Sequence, residues 1–260
     1  MLAAYELVTP NVTLIAKSTP VPGVIQAIYG SKEGGAHRHR HFDTHTPAPT
    51  MELAGRVCYA AYGCKNPQSD SHEGYLQNIL RQNHGSVLEH SSYTFLLSGI
   101  SRADSHEIVR HRHLSFSQES QRYVMQSEPY RISVHPAMIN SSGSLMPLYE
   151  FGESVAEEFT KARVFYDGLR KEGYNHKQAS EAARQFIPNA AAVEIVVTGN
   201  VRSWIEFISK RDHPAADASI QDIARQVYKI LKVELPEIFS EQAREIWDTN
   251  AEQEAPKTSA

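Results

Sequence analysis

The chain has 260 residues, 41% of them hydrophobic and 22% charged, with a formal net charge of −4. That length suits one large domain or two small ones with ample material for a core, and the acidic balance excludes a general affinity for nucleic acid, which needs a basic excess. No apolar run reaches the roughly 18 residues of a membrane helix, and the start, MLAAYELVTPNVTLIAKS, lacks a basic segment followed by an unbroken apolar block, so cytoplasm is the expected location.

In chain order, residues 1–20 read as a short strand around Val12, Leu14 and Ile15 entering a loop. Residues 20–50 are rich in Pro and Gly and read as a long mobile surface loop. Within it, HRHRHFDTH (His37 to His45) invites a metal reading, but the interleaved arginines set cations beside the would-be ligands, and no metal site is expected. From Thr50, Leu53, Val57, Ala60, Ala61 and Cys64 recur at helical spacing until Pro67. Cys58 and Cys64 match no zinc motif and read as buried small hydrophobes. A second helix with Tyr75, Leu76, Ile79 and Leu80 runs to Gly85, and 87–97 reads as a strand. Ser101 opens a helix with Asp104 in capping-box position, and that helix carries Glu107, Ile108 and Val109 into an Arg-His-Arg run. A short strand at Arg131–Val134 precedes a long amphipathic helix, 146–172, stopped by Gly173. A helix over 176–187 ends at Pro188. The β-rich run 193–199 meets Asn200, the N-cap of a helix VRSWIEFISKR, and a further helix covers 217–234 before Pro236. The pattern predicts a mixed α/β (α+β) fold, a central sheet with flanking helices, as a single catalytic domain over 1–248 with a disordered tail at 249–260.

The segment Arg110 to Arg122 holds three arginines, two histidines and three serines, and is nearly pure hydrogen-bond donor. Such a cluster is best tolerated when an anionic ligand completes it. On a helix, Glu107, Arg110 and His111 would share one face, while Arg110 and Arg112 would reach opposite sides. His106 and His111 are five apart, so the pair of zinc ligands at a spacing of four is missing. Ser120 suits a phosphate-binding hydroxyl beside Arg122; a nucleophile with His111 as base is the competing reading. A second cluster, Arg184, Asn200, Arg202 and Arg211, straddles a strand-to-helix junction whose backbone N–H groups could cradle a phosphate or a flavin edge. A third is His84, Ser86 and Glu89 in HGSVLEH. Arg38-His39-Arg40 repeats the tripeptide, but ten residues after Arg38 stands Ala48 rather than Ser.

Taken in order, these blocks resemble the flavin-dependent thymidylate synthases, with a look of their actinobacterial members. The carriers are His84-Gly85-Ser86-x-x-Glu89-His90, Arg110 to Arg122 with Ser120, Arg184 with Pro188, Thr198-Gly199-Asn200-Val201-Arg202, and Arg211. The resemblance implies a homotetramer that binds FAD and methylates deoxyuridine monophosphate (dUMP), with NADPH and methylene-tetrahydrofolate as co-substrates. It assigns Ser86, Arg110, His111, Arg112, Gln118, Asn200, Val201, Arg202 and Glu206 to FAD. It assigns Glu107, Ile108, Val109, Arg110, Gln118, Glu119, Ser120, Gln121, Arg122, Arg184 and Arg211 to the nucleotide, with Arg211 as the catalytic group that polarises the pyrimidine. Glu206 stands where relatives often have Asn or His, and Gln118 where many have Glu. No nucleic-acid or membrane partner is implied. The competing readings are a phosphate- or nucleic-acid-binding module built on the Arg-rich segment and a metal sensor built on the His-rich loop.

Overall fold

Six strands make two sheets in the computed structural model, which describes residues 3–32, 45–62, 71–139 and 146–254. The strands are β1 (Tyr5–Val8), β2 (Asn11–Lys17), β3 (Ser92–Ser101), β4 (Ser115–Gln118), β5 (Tyr130–Ser133) and β6 (Ala192–Asn200). Eleven helices accompany them among the described residues: α1 (Val24–Ser31), α2 (Ala48–Cys58), α3 (His72–Arg81), α4 (Arg102–Ile108), α5 (Pro136–Ile139), α6 (Met146–Lys171), α7 (His176–Ala183), α8 (Val201–Arg211), α9 (Ala218–Glu234), α10 (Pro236–Phe239) and α11 (Glu241–Glu254). Short 3-10 turns occupy Gly85–His90 and Arg184–Phe186. β1 and β5 pair in parallel, Tyr5 opposite Tyr130 through Val8 opposite Ser133. The other sheet has the order β2-β3-β6-β4. The expected mixture of helices and sheet is therefore present. The chain divides into two units, residues 1–13, 96–197 and 214–223 in one and 14–95, 198–213 and 224–260 in the other.

In the first unit, Tyr130, Ile132, Val155, Ala156, Phe159 and Ala191 form a core where α6 lies on the small sheet. The rings of Tyr130 and Phe159 stack at 4.8 Å. In the second, β3 buries Tyr93 and Phe95 on alternate positions, as period two requires. Trp204 of α8 meets Phe95 edge-on at 4.9 Å, and its Nε1 donates to the Tyr93 carbonyl at 3.2 Å, so the indole is buried with its one donor satisfied. α2 carries a buried ion pair: Arg56 Nε donates to Glu52 Oε1 at 2.7 Å, and both side chains are almost wholly shielded. Arg56 also donates to the Ala61 carbonyl at 3.1 Å and lies over the Tyr75 ring, while His72 Nδ1 meets the other Glu52 oxygen. A buried carboxylate needs this many partners because desolvation alone would cost several kcal/mol, on the order of the Born penalty after relaxation.

Several boundaries differ from the sequence reading. Residues 24–31 form α1 inside the stretch expected to be a loop, anchored by Ile25 and the fully buried Tyr29; residues 33–44, with His37 to His41, lie outside the described residues. α2 stops at Cys58, because Ala60 takes a left-handed conformation (φ 49°) and Ala61 N–H donates back to the Arg56 carbonyl, a Schellman closure. Ala60 and Ala61 are thus not helical, and Cys64 and Pro67 lie outside the described residues. Cys58 is exposed rather than buried. α3 closes the same way on Asn83 (φ 53°), ahead of Gly85. Residues 85–90 form a 3-10 turn that takes up the first part of the strand expected over 87–97, so β3 begins only at Ser92. α4 shows the full Ser101–Asp104 capping box but ends at Ile108. α11 continues to Glu254, into the stretch expected as a tail, because Ala243 and Trp247, four apart, bury one face and Trp247 Nε1 donates to the Ile238 carbonyl.

Candidate functional site

The donor-rich segment belongs to the first unit. Since α4 ends at Ile108, Arg110 and His111 sit in the following turn, their N–H groups donating to the Glu107 and Ile108 carbonyls. The shared helical face expected for Glu107, Arg110 and His111 is therefore not formed by regular helix. Val109 is exposed, Ile108 is buried as an anchor, and Leu114 pins the turn from inside. Arg110 and Arg112 are exposed, which leaves their guanidinium groups to solvent or ligand. Gln118 ends β4 with its Nε2 donating to Ser105 Oγ at 2.9 Å, so a residue of α4 orients the amide. Glu119 continues the β4–β6 pairing, its N–H on the Glu194 carbonyl at 3.0 Å. Partial burial, then the neighbouring Glu194 carboxylate, push the Glu119 carboxyl above its ordinary range against the pull of Arg131 and Arg102.

Beyond β4 the chain turns at Ser120, whose carbonyl accepts from Tyr123 and Val124 and whose Oγ accepts from the Arg122 N–H at 3.4 Å. This places Ser120, Gln121 and Arg122 on one tight turn. The Arg122 guanidinium stands 3.9 Å from Glu181 of α7 and over the Tyr123 ring. Arg184, in the 3-10 turn that ends α7, is exposed. The hydroxyl of Ser120 thus engages its own turn, the ordinary behaviour of a serine in a turn.

The remaining residues belong to the second unit. Asn200 caps α8, its Oδ1 accepting from Ser203 N–H and Oγ, each at 2.8 Å. Val201 is fully buried and its N–H donates to the Ser91 carbonyl. The N–H groups of Val201 and Ser203, two of the N-terminal donors of α8, are therefore already satisfied, and an N–H committed inside the fold cannot serve a phosphate as well. What this end of the helix offers is the Arg202 side chain.

Two hollows meet at that side chain. One, of about 310 Å³, is lined by Cys58, Tyr59, Asn83, His84, Gly85, Ser86, Val87 and Arg202. The other, of about 660 Å³, has an apolar floor of Ile79, Leu80, Leu88, Ile205 and Trp247 and a polar rim that includes Glu206, Ser209 and Lys210. Asn83, His84, Gly85 and Arg202 belong to both. Tyr59 stacks on His84 at 5.9 Å. Glu206 pairs with Lys210 one turn on, a helical i,i+4 contact that occupies its carboxylate. Arg202 Nη1 donates to Glu89 Oε1 at 2.6 Å, with the two side chains 59% and 45% exposed. At that exposure the pair is worth about 1 kcal/mol or less of stability. Arg211 closes α8 half-buried, next to Asp212, whose carboxylate accepts from Arg225 and Arg244.

Sequence reading missed Tyr59, Asn83, Lys210 and Trp247 as walls of these hollows, and Ser105 and Glu181 as partners of Gln118 and Arg122. Only Lys210, four after Glu206, left a signal in the sequence. Among the described residues, no group of three or more His, Cys, Asp and Glu side chains is placed to hold a metal ion, and no helix is long and apolar enough to cross a membrane.

Comparison with known proteins gives a coherent picture. Residues 42–237 match the family described as "Thymidylate synthase complementing protein". The chain is 37% identical over 195 residues to the flavin-dependent thymidylate synthase of Mycobacterium tuberculosis (strain H37Rv), covering 74% of this chain and 78% of that one. It is 38% identical over 204 residues to the enzyme of the same name from Corynebacterium efficiens, covering 76% and 81%. Among solved structures, the UMP/dUMP methylase PolB from Streptomyces cacaoi, bound with 5-Br dUMP, superposes with a TM-score of 0.65 at 21% identity, covering 94% of this chain and 97% of that one. At that identity the likeness establishes a common fold.

Proposed function

The chain belongs to the flavin-dependent thymidylate synthase family, and from that membership we propose that it converts dUMP to thymidylate by reductive methylation, with methylene-tetrahydrofolate as carbon donor and NADPH as reductant. It is an enzyme, a flavin-dependent methyltransferase. The observation that carries the reading is the uninterrupted family match over residues 42–237, which takes in every block named above.

The residues present suit a flavin nucleotide. Gly85 leaves its backbone open beside Arg202, and the adjoining hollows offer both an apolar floor and donors. The family resemblance assigns to the flavin Ser86, Asn200, Val201, Arg202 and Glu206 and, separately, Arg110, His111, Arg112 and Gln118; at Glu206 the carboxylate must share itself with Lys210. When bound, FAD supplies the hydride chemistry. The family resemblance assigns to dUMP Glu107, Ile108, Val109, Arg110, Gln118, Glu119, Ser120, Gln121, Arg122 and Arg184 and, separately, Arg211. The exposed arginines neutralise its phosphate, and the tight turn at Ser120 presents a hydroxyl beside Arg122. A guanidinium from Arg211 against the pyrimidine favours loss of its N3 proton, and the anionic ring is then nucleophilic at C5 without a covalent link to the protein. We assign the working form to a homotetramer in the cytoplasm. The reading as a nucleic-acid-binding module is not favoured, since the net charge of −4 opposes it.

Protein incubated with FAD should turn yellow, bleach with NADPH, and form thymidylate from dUMP and methylene-tetrahydrofolate. Protein that refuses FAD and yields no thymidylate would falsify the proposal. Arg211→Ala should retain the flavin spectrum while kcat drops by roughly 10²- to 10³-fold, the scale of losing one preorganised charge-stabilising donor; unchanged turnover would strip Arg211 of its role.

A further inference from the structure

The side chain of Arg202 is held from two sides. Its guanidinium lies so close across Gly85 that a methyl group on that residue would stand 3.0 Å from Nε and 3.2 Å from Cζ. Its Nη1 donates to Glu89 Oε1 at 2.6 Å. Both anchors come from the one 3-10 turn, Gly85–His90, while Arg202 itself comes from the first turn of α8. The arginine so held forms part of the wall common to both hollows, and Glu89 lines neither of them.

We propose that Glu89 is a positioning residue for the flavin site: it fixes one edge of the Arg202 guanidinium, with Gly85 as the flat seat beneath, so that the other donors of the fork face the cofactor. Three features of the side chains support this. An arginine presents five N–H donors in a rigid planar fork, so binding one edge orients the rest. A lone exposed arginine has many rotamers, and ordering it on binding would subtract from affinity; a carboxylate that orders it beforehand removes that loss. The pair is also too exposed to serve the stability of the fold, which leaves orientation as its physical effect. The inference rests on the flavin reading above.

The test is a double-mutant cycle on FAD affinity, read by quenching of flavin fluorescence, with thermal melts and circular dichroism of each apoprotein alongside. Glu89→Gln should raise the Kd for FAD by about three- to fivefold, the most that pre-ordering by an exposed ion pair can return, with a nearly unchanged melting midpoint. Arg202→Gln should raise it at least as much, and adding Glu89→Gln to Arg202→Gln should change nothing further, because Glu89 acts through the arginine. Gly85→Ala should behave like Glu89→Gln, costing affinity in the parent and nothing in the Arg202→Gln background. Glu89→Asp should recover part of the loss. The proposal fails where Glu89→Gln binds FAD as tightly as the parent or tighter, or where its effect multiplies with that of Arg202→Gln. In either case a parent protein that binds FAD leaves the assigned function standing, whereas a parent that binds none removes both.

Discussion

Glu119 shows how a single position couples fold and chemistry. Its carboxyl, half-buried beside Glu194, titrates above the 4.5 of an unperturbed glutamate. A carboxyl whose folded value is raised binds its proton more tightly in the native state. It therefore supports stability below the unfolded value and loses that support as pH rises through the folded one. Glu119→Gln, which cannot ionise, should melt above the parent at neutral pH, and the gap should close as pH falls toward 4.5. Melting curves across that range check it, and a gap that does not change with pH would assign the shift no energetic consequence. Sequence marked Glu119 as part of a polar run; it could not show Glu194, which approaches only because β4 pairs with β6.

At the scale of elements, residues in the left-handed conformation set three helix ends, and those of α2 and α3 bear on the hollows. α6 stops on Gly173 (φ 92°) and α3 on Asn83 (φ 53°), residue types that accept the left-handed conformation readily. α2 stops on Ala60 (φ 49°), where the Cβ makes the same conformation costly. Ala60→Gly should therefore stabilise the protein by about 0.5–1 kcal/mol, the steric relief outweighing the added freedom of the unfolded chain. Urea titration measures this directly, and a loss of stability would mean the Schellman closure is not what ends α2. The stop matters because Cys58 and Tyr59, the last residues before it, line the smaller hollow. The capping box at Ser101 and the N-cap at Asn200 were readable locally, since a cap needs only a side-chain oxygen and an N–H two or three residues on. The turn after α3 was readable at His84 to Glu89, but its extent to His90 was not, because Val87 and Leu88 also suit the start of a strand.

For the whole molecule, ligands that bind only the native chain must raise its apparent stability by mass action. With FAD at a hundredfold excess over its Kd the gain should be about 2.7 kcal/mol, seen as a higher melting midpoint, and dUMP added on top should raise it further. A midpoint indifferent to FAD would contradict the cofactor assignment.

The order and spacing of the arginine, serine and asparagine blocks were enough to identify the family, because such chemistry demands particular side chains at particular intervals and leaves that demand written along the chain. Which partner each of those side chains meets was decided by folding alone. Glu89 and Arg202 stand 113 positions apart, and Gln118 and Ser105 stand 13 apart across a helix end and a strand, and no local pattern records such a meeting. The same holds for the commitment of the Val201 N–H to Ser91, which takes one donor away from the expected anion cradle. Side-chain identity is a property of sequence, whereas the satisfaction of a donor depends on what the tertiary fold brings within 3 Å of it.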